Sequence, residues 1–169
     1  SGAGPKLLVY LRPFKDFPAV LQALQQSKAR VLLRVGDIAV SKLAEYQRPG
    51  LTIVEQPVDM RAAADSCDAF INYASHGVTA EMLLAGKPGL LLATNLEREL
   101  VMRRGLQLGA CVAPVPGSNF NLSDALRRIV EDPALRKAAE GFAARYARQD
   151  RSAILPRMAD GVLARFTIR

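Results

Sequence analysis

The sequence holds a single histidine, His76, no tryptophan and only two cysteines, Cys67 and Cys111. One imidazole and two distant thiols cannot supply the clustered N and S ligands of a zinc site, so no metal is expected. The cysteines lack any CxxC spacing and lie in or beside apolar strand patterns, which reads as free, buried thiols in a reducing compartment. No basic run is interleaved with aromatics that could stack on bases, and nucleic acid is not expected as a partner. No apolar stretch approaches the ~20 residues needed to span a bilayer, and no basic-then-apolar leader opens the chain; a cytoplasmic protein is expected. The GxGxxG turn, the Walker A loop and the GxSxG elbow are all missing, which argues against NAD or FAD enzymes, P-loop NTPases and serine hydrolases of the α/β type. No cofactor is expected.

What is present is an ordinary globular composition, with 50% hydrophobic and 23% charged residues in a chain of 169. That length suits one domain with a substantial core. Ser1 to Gly4 (SGAG) carries no initiator methionine and reads as a cloning remnant ahead of a fragment of something longer; residues 5–169 form the expected domain. The net charge of +7 is uneven, since residues 121–169 carry 10 basic against 6 acidic side chains. A solvated helix face accounts for that surplus most simply, and contact with an anionic membrane face is kept as a further reading.

Apolar runs and helical spacings alternate along the chain. Strands are predicted at Lys6–Leu11, Arg30–Val35, Leu51–Val54, Ala69–Tyr73, Gly89–Ala93 and Ala110–Ala113. Helices are predicted at Phe17–Ser27, Ile38–Tyr46 after an Asp37 cap, Met60–Ser66 after Asp59, from the tight polar turn Ala74–Gly77 to Ala85, and following the fifth strand. Three more close the chain: one capped by Asn121 or Ser123, one from Asp132-Pro133 to about Ala147, and one from Asp150 to Phe166, bent or broken at Pro156. The fold class is therefore α/β, a doubly wound, mainly parallel six-stranded Rossmann-like sheet with additional C-terminal helices.

The most informative stretch runs from Cys67 to Gly109, a βαβ unit whose first loop is short and polar. Loops at the carboxyl ends of parallel strands form the ligand crevice, and a helix start there offers unpaired N–H groups to an anion. Ser75 is placed as the cap, Gly77 lets a ligand come close, and the amides of Gly77, Val78 and Thr79 face a diphosphate. Glu81, one turn on, is placed to accept hydrogen bonds from a ribose diol. His76 could donate to a phosphate or simply face solvent. Glu97 and Arg98, just past the fifth strand, lie on the same crevice side, or form with Glu99 an ordinary charge cluster at a helix start.

Asp59 to Gly109 resembles the carboxyl-terminal, donor-binding domain of B-type-fold glycosyltransferases, the UDP- and dTDP-glycosyltransferases and the MurG-like branch. The family block reads roughly H-G-G-x-G-[ST]-x-x-E, then A-x-G-x-P, an apolar run, D-Q and a terminal L-G. Here Tyr73-Ala74-Ser75-His76-Gly77-Val78-Thr79-Ala80-Glu81, Ala85-Gly86-Lys87-Pro88, Glu97-Arg98 and Leu108-Gly109 keep that frame without a gap. Tyr73 stands for the histidine, Ala74 and Ser75 for two glycines, Val78 for the hydroxyl residue and Glu97-Arg98 for Asp-Gln.

The resemblance implies that Gly77 to Thr79 bind the diphosphate, that Glu81 holds the ribose, and that Glu97 and Arg98 face the donor sugar. It also implies that the loop Gln56 to Met60, with Pro57, Val58 and Met60, seats the base. The implied protein is a hexosyltransferase whose acceptor-binding amino-terminal domain, and catalytic base, lie outside this chain, so that this half alone binds nucleotide and catalyses little. Two other readings remain open: a non-catalytic or regulatory module that keeps the fold, and a sugar-nucleotide epimerase-like domain.

Overall fold

The computed structural model describes residues 4–117, 120–149 and 153–166. Strand and helix alternate from the first apolar run onward: β1 (Lys6–Leu11), α1 (Phe17–Gln26), β2 (Arg30–Val35), a 3-10 helix (Val40–Tyr46), β3 (Leu51–Val54) and α2 (Met60–Ser66). The second half continues with β4 (Ala69–Asn72), α3 (His76–Leu84), β5 (Gly89–Leu91), α4 (Leu96–Gln107) and β6 (Cys111–Val112). Helices α5 (Leu122–Glu131), α6 (Pro133–Tyr146) and α7 (Ile154–Phe166) follow. The six strands form one sheet in the order β3-β2-β1-β4-β5-β6, every adjacent pair parallel. The chain first winds outward from β1 to β3, then returns to lay β4 on the other side of β1. The loops leaving β1 and β4 therefore diverge, and a crevice opens between them at the carboxyl edge.

Strands covered on both faces send alternate side chains into two separate cores. Leu7, Val9, Leu11, Ile71 and Leu90 pack with α1 and α5, while Leu8, Phe70 and Leu91 pack with α2, α3 and α4. The helical spacing of Phe17, Val20, Leu21 and Leu24 is what turns one side of α1 inward. On the other face the Phe70 ring lies so close over Gly89 that a Cβ there would stand within 2.7 Å of its Cε2. Among the described residues, side-chain caps start four helices: Asp59, Asn95, Asn121 and Asp132 each accept from a first-turn amide.

Three local expectations are corrected. The helix expected over Ile38–Tyr46 is a 3-10 helix beginning at Val40, whose amide donates to Glu55 Oε1 at 3.3 Å rather than to Asp37. Asp37 adopts a left-handed conformation with φ 64 and turns its carboxylate to Arg12 at 3.5 Å, leaving the helix start to Ala39, which has no side-chain oxygen. Asn121, not Ser123, caps α5. The last helical pattern was expected from Asp150, which lies outside the described residues; from Ile154 onward it is one unbroken helix, with Pro156 in the first turn, where a missing N–H costs no hydrogen bond. The side chains of α7 are not buried, and no helix among the described residues is long and apolar enough to cross a membrane.

Candidate functional site

The wall of the crevice beyond β4 is set by one buried polar residue. Asn72 ends the strand with no exposed surface, and an unpartnered amide there would be costly. Its Oδ1 accepts from the Ser75 amide at 3.1 Å, and its Nδ2 donates to Thr79 Oγ1 at 3.1 Å. The Thr79 amide in turn donates to the Ser75 carbonyl at 2.9 Å. Between these anchors Ala74 is forced into the left-handed region, φ 55, and is buried. Strand end, turn and helix start are thereby held as a unit. The amides of His76, Gly77 and Val78 precede any helical acceptor and sit at the positive end of α3.

This arrangement changes the roles expected for two residues. Ser75 occupies the cap position of α3, but its hydroxyl makes no capping bond, because the Asn72 side chain has already turned the Ser75 backbone. Thr79 is only 4% exposed, and both its amide and its hydroxyl are spent inside the fold. The row of outward amides therefore lies one residue earlier than expected, at His76 to Val78. A Cβ on Gly77 would meet nothing within 4 Å, so the space in front of this turn is open. Val78 is half-buried against the core and Glu81 is half-buried one turn further along.

Two tyrosines and three arginines form the other half of the crevice. Tyr10, near the end of β1, and Tyr73, just past β4, stack with ring centroids 6.1 Å apart. The Arg98 guanidinium, from the first turn of α4, lies over Tyr73 at 4.1 Å from the centroid and donates to the Tyr73 carbonyl at 3.4 Å. Arg12, from the loop after β1, approaches the same ring at 5.6 Å, and Arg34, on β2, stands over Tyr10 at 5.7 Å. Gly36 brings the last two together: a Cβ there would lie 3.3 Å from Arg34 Nη1 and 3.4 Å from Arg12 Cγ. Of the three, Arg12 alone makes an ion pair among the described residues, and the Arg34 Nε is buried without a hydrogen-bond partner.

The remaining expected site residues share this edge of the sheet. Glu97 is exposed at the start of α4 beside Arg98, whose amide the Asn95 side chain receives at 3.0 Å. Pro57 is exposed after β3, while Val58 and Met60 pack partly onto the core around α2. A largely apolar cavity of about 570 Å³ opens beside His76, lined by Leu83, Leu100, Val101, Leu108 and Phe142. Another, of about 660 Å³, lies at the opposite edge, near Lys6, Arg30 and Arg48. The Arg48 guanidinium there already donates to the Leu24 and Ala29 carbonyls and to Ser27 Oγ, a structural role. No group of three metal-ligating side chains occurs among the described residues. Burial pushes the Cys67 thiol up to about 11 and the Cys111 thiol up to about 12, so neither is a reactive thiolate near neutrality.

Sequence reasoning passed over Asn72, Arg12 and Arg34. Each carried a signal: a lone amide inside an apolar strand, and arginines at or near the carboxyl ends of strands in a parallel sheet.

The strand order and the crevice at its switch point define a Rossmann-like fold. By sequence the chain matches no protein-family model and no curated protein. By structure it matches solved glycosyltransferases. The calicheamicin glycosyltransferase CalG4 is 21% identical with a TM-score of 0.77, the match covering 98% of this chain and 45% of that one. SnogD from Streptomyces nogalater is 21% identical with a TM-score of 0.67, covering 88% and 41%. SsfS6 from Streptomyces sp. SF2575, solved with thymidine diphosphate, is 21% identical with a TM-score of 0.70, covering 95% and 42%. The chain has the fold found in these B-type glycosyltransferases and spans less than half the length of each.

Proposed function

We propose that this chain is the donor-binding half of a glycosyltransferase that moves a sugar from a nucleoside diphosphate to an acceptor. The observation that carries the reading is the outward row of amides at the start of α3, set beside three guanidinium groups at the switch point of the sheet. In that reading a diphosphate lies across His76 to Val78, Glu81 takes the ribose hydroxyls, and Glu97 with Arg98 borders the sugar. Pro57, Val58 and Met60 border the base. The fold shared with SsfS6, which was solved with thymidine diphosphate, supports it. The chemistry available to this half is electrostatic: fixed dipoles and cations stabilise the charge that develops on a leaving diphosphate. The acceptor and the base that activates it belong to a second domain.

Thermal-shift titration with UDP, dTDP, GDP and CDP tests this directly. A ligand confined to the folded state and present at 100 times its Kd adds about 2.7 kcal/mol of stability. Absence of any shift at millimolar nucleotide refutes the reading. Gly77→Val probes the turn, since the added side chain meets open space in the protein alone yet stands where the ligand would lie. Its unliganded unfolding temperature should hold while the nucleotide response drops.

A further inference from the structure

The cluster at the ends of β1, β2 and β4 carries more positive charge than the protein itself uses. Three guanidiniums gather around the Tyr10–Tyr73 pair, and the one carboxylate paired with them among the described residues, Asp37 on Arg12, is exposed and 3.5 Å away. Arg98 is held by a ring face and a single long bond to a carbonyl, so most of its donors remain for another partner. The Arg34 Nε has none at all. Arg12 and Arg34 converge over Gly36, and Arg98 joins them through Tyr73.

We propose that Arg12 and Arg98 form a side-chain clamp for the diphosphate of the ligand, with Arg34 behind them as a positioning residue. This rests on the donor-binding reading above and deepens it. Three guanidiniums converge where the two negative charges of a diphosphate esterified at both ends would lie, while Glu81 and Glu97 stand toward the ribose and the sugar. The α3 amides take one phosphate group and the two guanidiniums the other, by the charge-assisted, forked hydrogen bonds that arginine makes to phosphate oxygens. Tyr73 serves as the floor on which Arg98 is oriented.

The test compares nucleoside diphosphate with the corresponding monophosphate, and adds inorganic pyrophosphate, on the intact chain and on Arg12→Gln, Arg98→Gln and Arg98→Lys, by calorimetry. Arg103→Gln, on the same helix as Arg98 but paired with Glu99, controls for net charge. The diphosphate should bind at least tenfold more tightly than the monophosphate. Arg12→Gln and Arg98→Gln should each remove about tenfold of that preference, Arg98→Lys should restore only part, and Arg103→Gln should leave it intact. Circular dichroism shows whether each variant is folded; a clamp variant that does not fold leaves the decision to the other. A preference that survives both Gln substitutions overturns the clamp while leaving nucleotide binding in place. Pyrophosphate binding that depends on Arg98, with no nucleotide binding, keeps the clamp and removes the nucleotide reading. Binding of neither overturns both.

Discussion

Thr79→Val exchanges a hydroxyl for a methyl at nearly constant volume and isolates the contact between one pair of side chains, Thr79 and Asn72. Thr79 is 4% exposed and Asn72 not exposed at all, so the deleted hydroxyl leaves the Asn72 Nδ2 group facing a methyl in a dry interior. An unsatisfied buried donor of this kind costs about 1–3 kcal/mol, and about 2 is expected here. Asn72→Val cuts twice, orphaning both the Thr79 hydroxyl and the Ser75 amide, for a loss of about 3 kcal/mol. The double variant leaves only the Ser75 amide without its partner, so its loss should be near 2 kcal/mol, below that of Asn72→Val and about 3 short of the sum. Urea unfolding followed by far-UV circular dichroism gives the four free energies, and Thr79→Val should lower the unfolding temperature by roughly 4–8 °C. A loss below about 0.5 kcal/mol for Thr79→Val, together with additivity in the double variant, would refute the claim that this pair fixes the turn.

Other expectations follow from the packing. Gly89→Ala places a methyl against the Phe70 ring and should cost more than about 2 kcal/mol in urea unfolding; Phe70→Leu in the same chain should recover part of it, and a neutral Gly89→Ala contradicts the packing. Ala74→Gly relieves a left-handed alanine, worth about 1–2 kcal/mol, but frees the unfolded chain and removes a buried methyl, so its net effect should lie within about 1 kcal/mol of zero. Ala74→Val should instead be clearly destabilising in the same assay. The thiols give a pH signature. Unfolded, they lose protons near the ordinary value of 9.0; folded, near 11 for Cys67 and 12 for Cys111. The folded state holds more protons across that window, so stability should fall as pH rises from about 9 toward 12. Urea midpoints at pH 8, 9 and 10 should decline less steeply in a Cys67→Ala, Cys111→Ala variant; equal slopes would count against the burial.

The sheet was legible because its strands are short, apolar and regularly spaced, and because Phe17, Val20, Leu21 and Leu24 announce a helix between the first two. The 3-10 helix was not, since nothing local marks Asp37 as a partner of Arg12 from the loop after β1. At the turn after β4 the sequence pointed to the correct few residues and misassigned their atoms. Whether a hydroxyl faces a ligand or the core depends on what lies beneath, here Asn72, seven positions from Thr79 and on another element. The arginine cluster was least visible, because Arg12, Arg34 and Arg98 come from the loop after β1, from β2 and from α4, which only the strand order brings side by side.

The perch of Arg98 on Tyr73 bears on how a ligand would be felt thermally. A free arginine side chain carries about 2 kcal/mol of rotational freedom that any partner must quench. With the guanidinium already settled 4.1 Å above a ring and tied to a carbonyl, much of that freedom is gone before an anion arrives. Arg12, exposed and 1.5 Å further from the ring centroid than Arg98, still has its share to lose. Two residues of identical chemistry would then contribute to the proposed clamp with different entropies, Arg98 losing less on binding than Arg12.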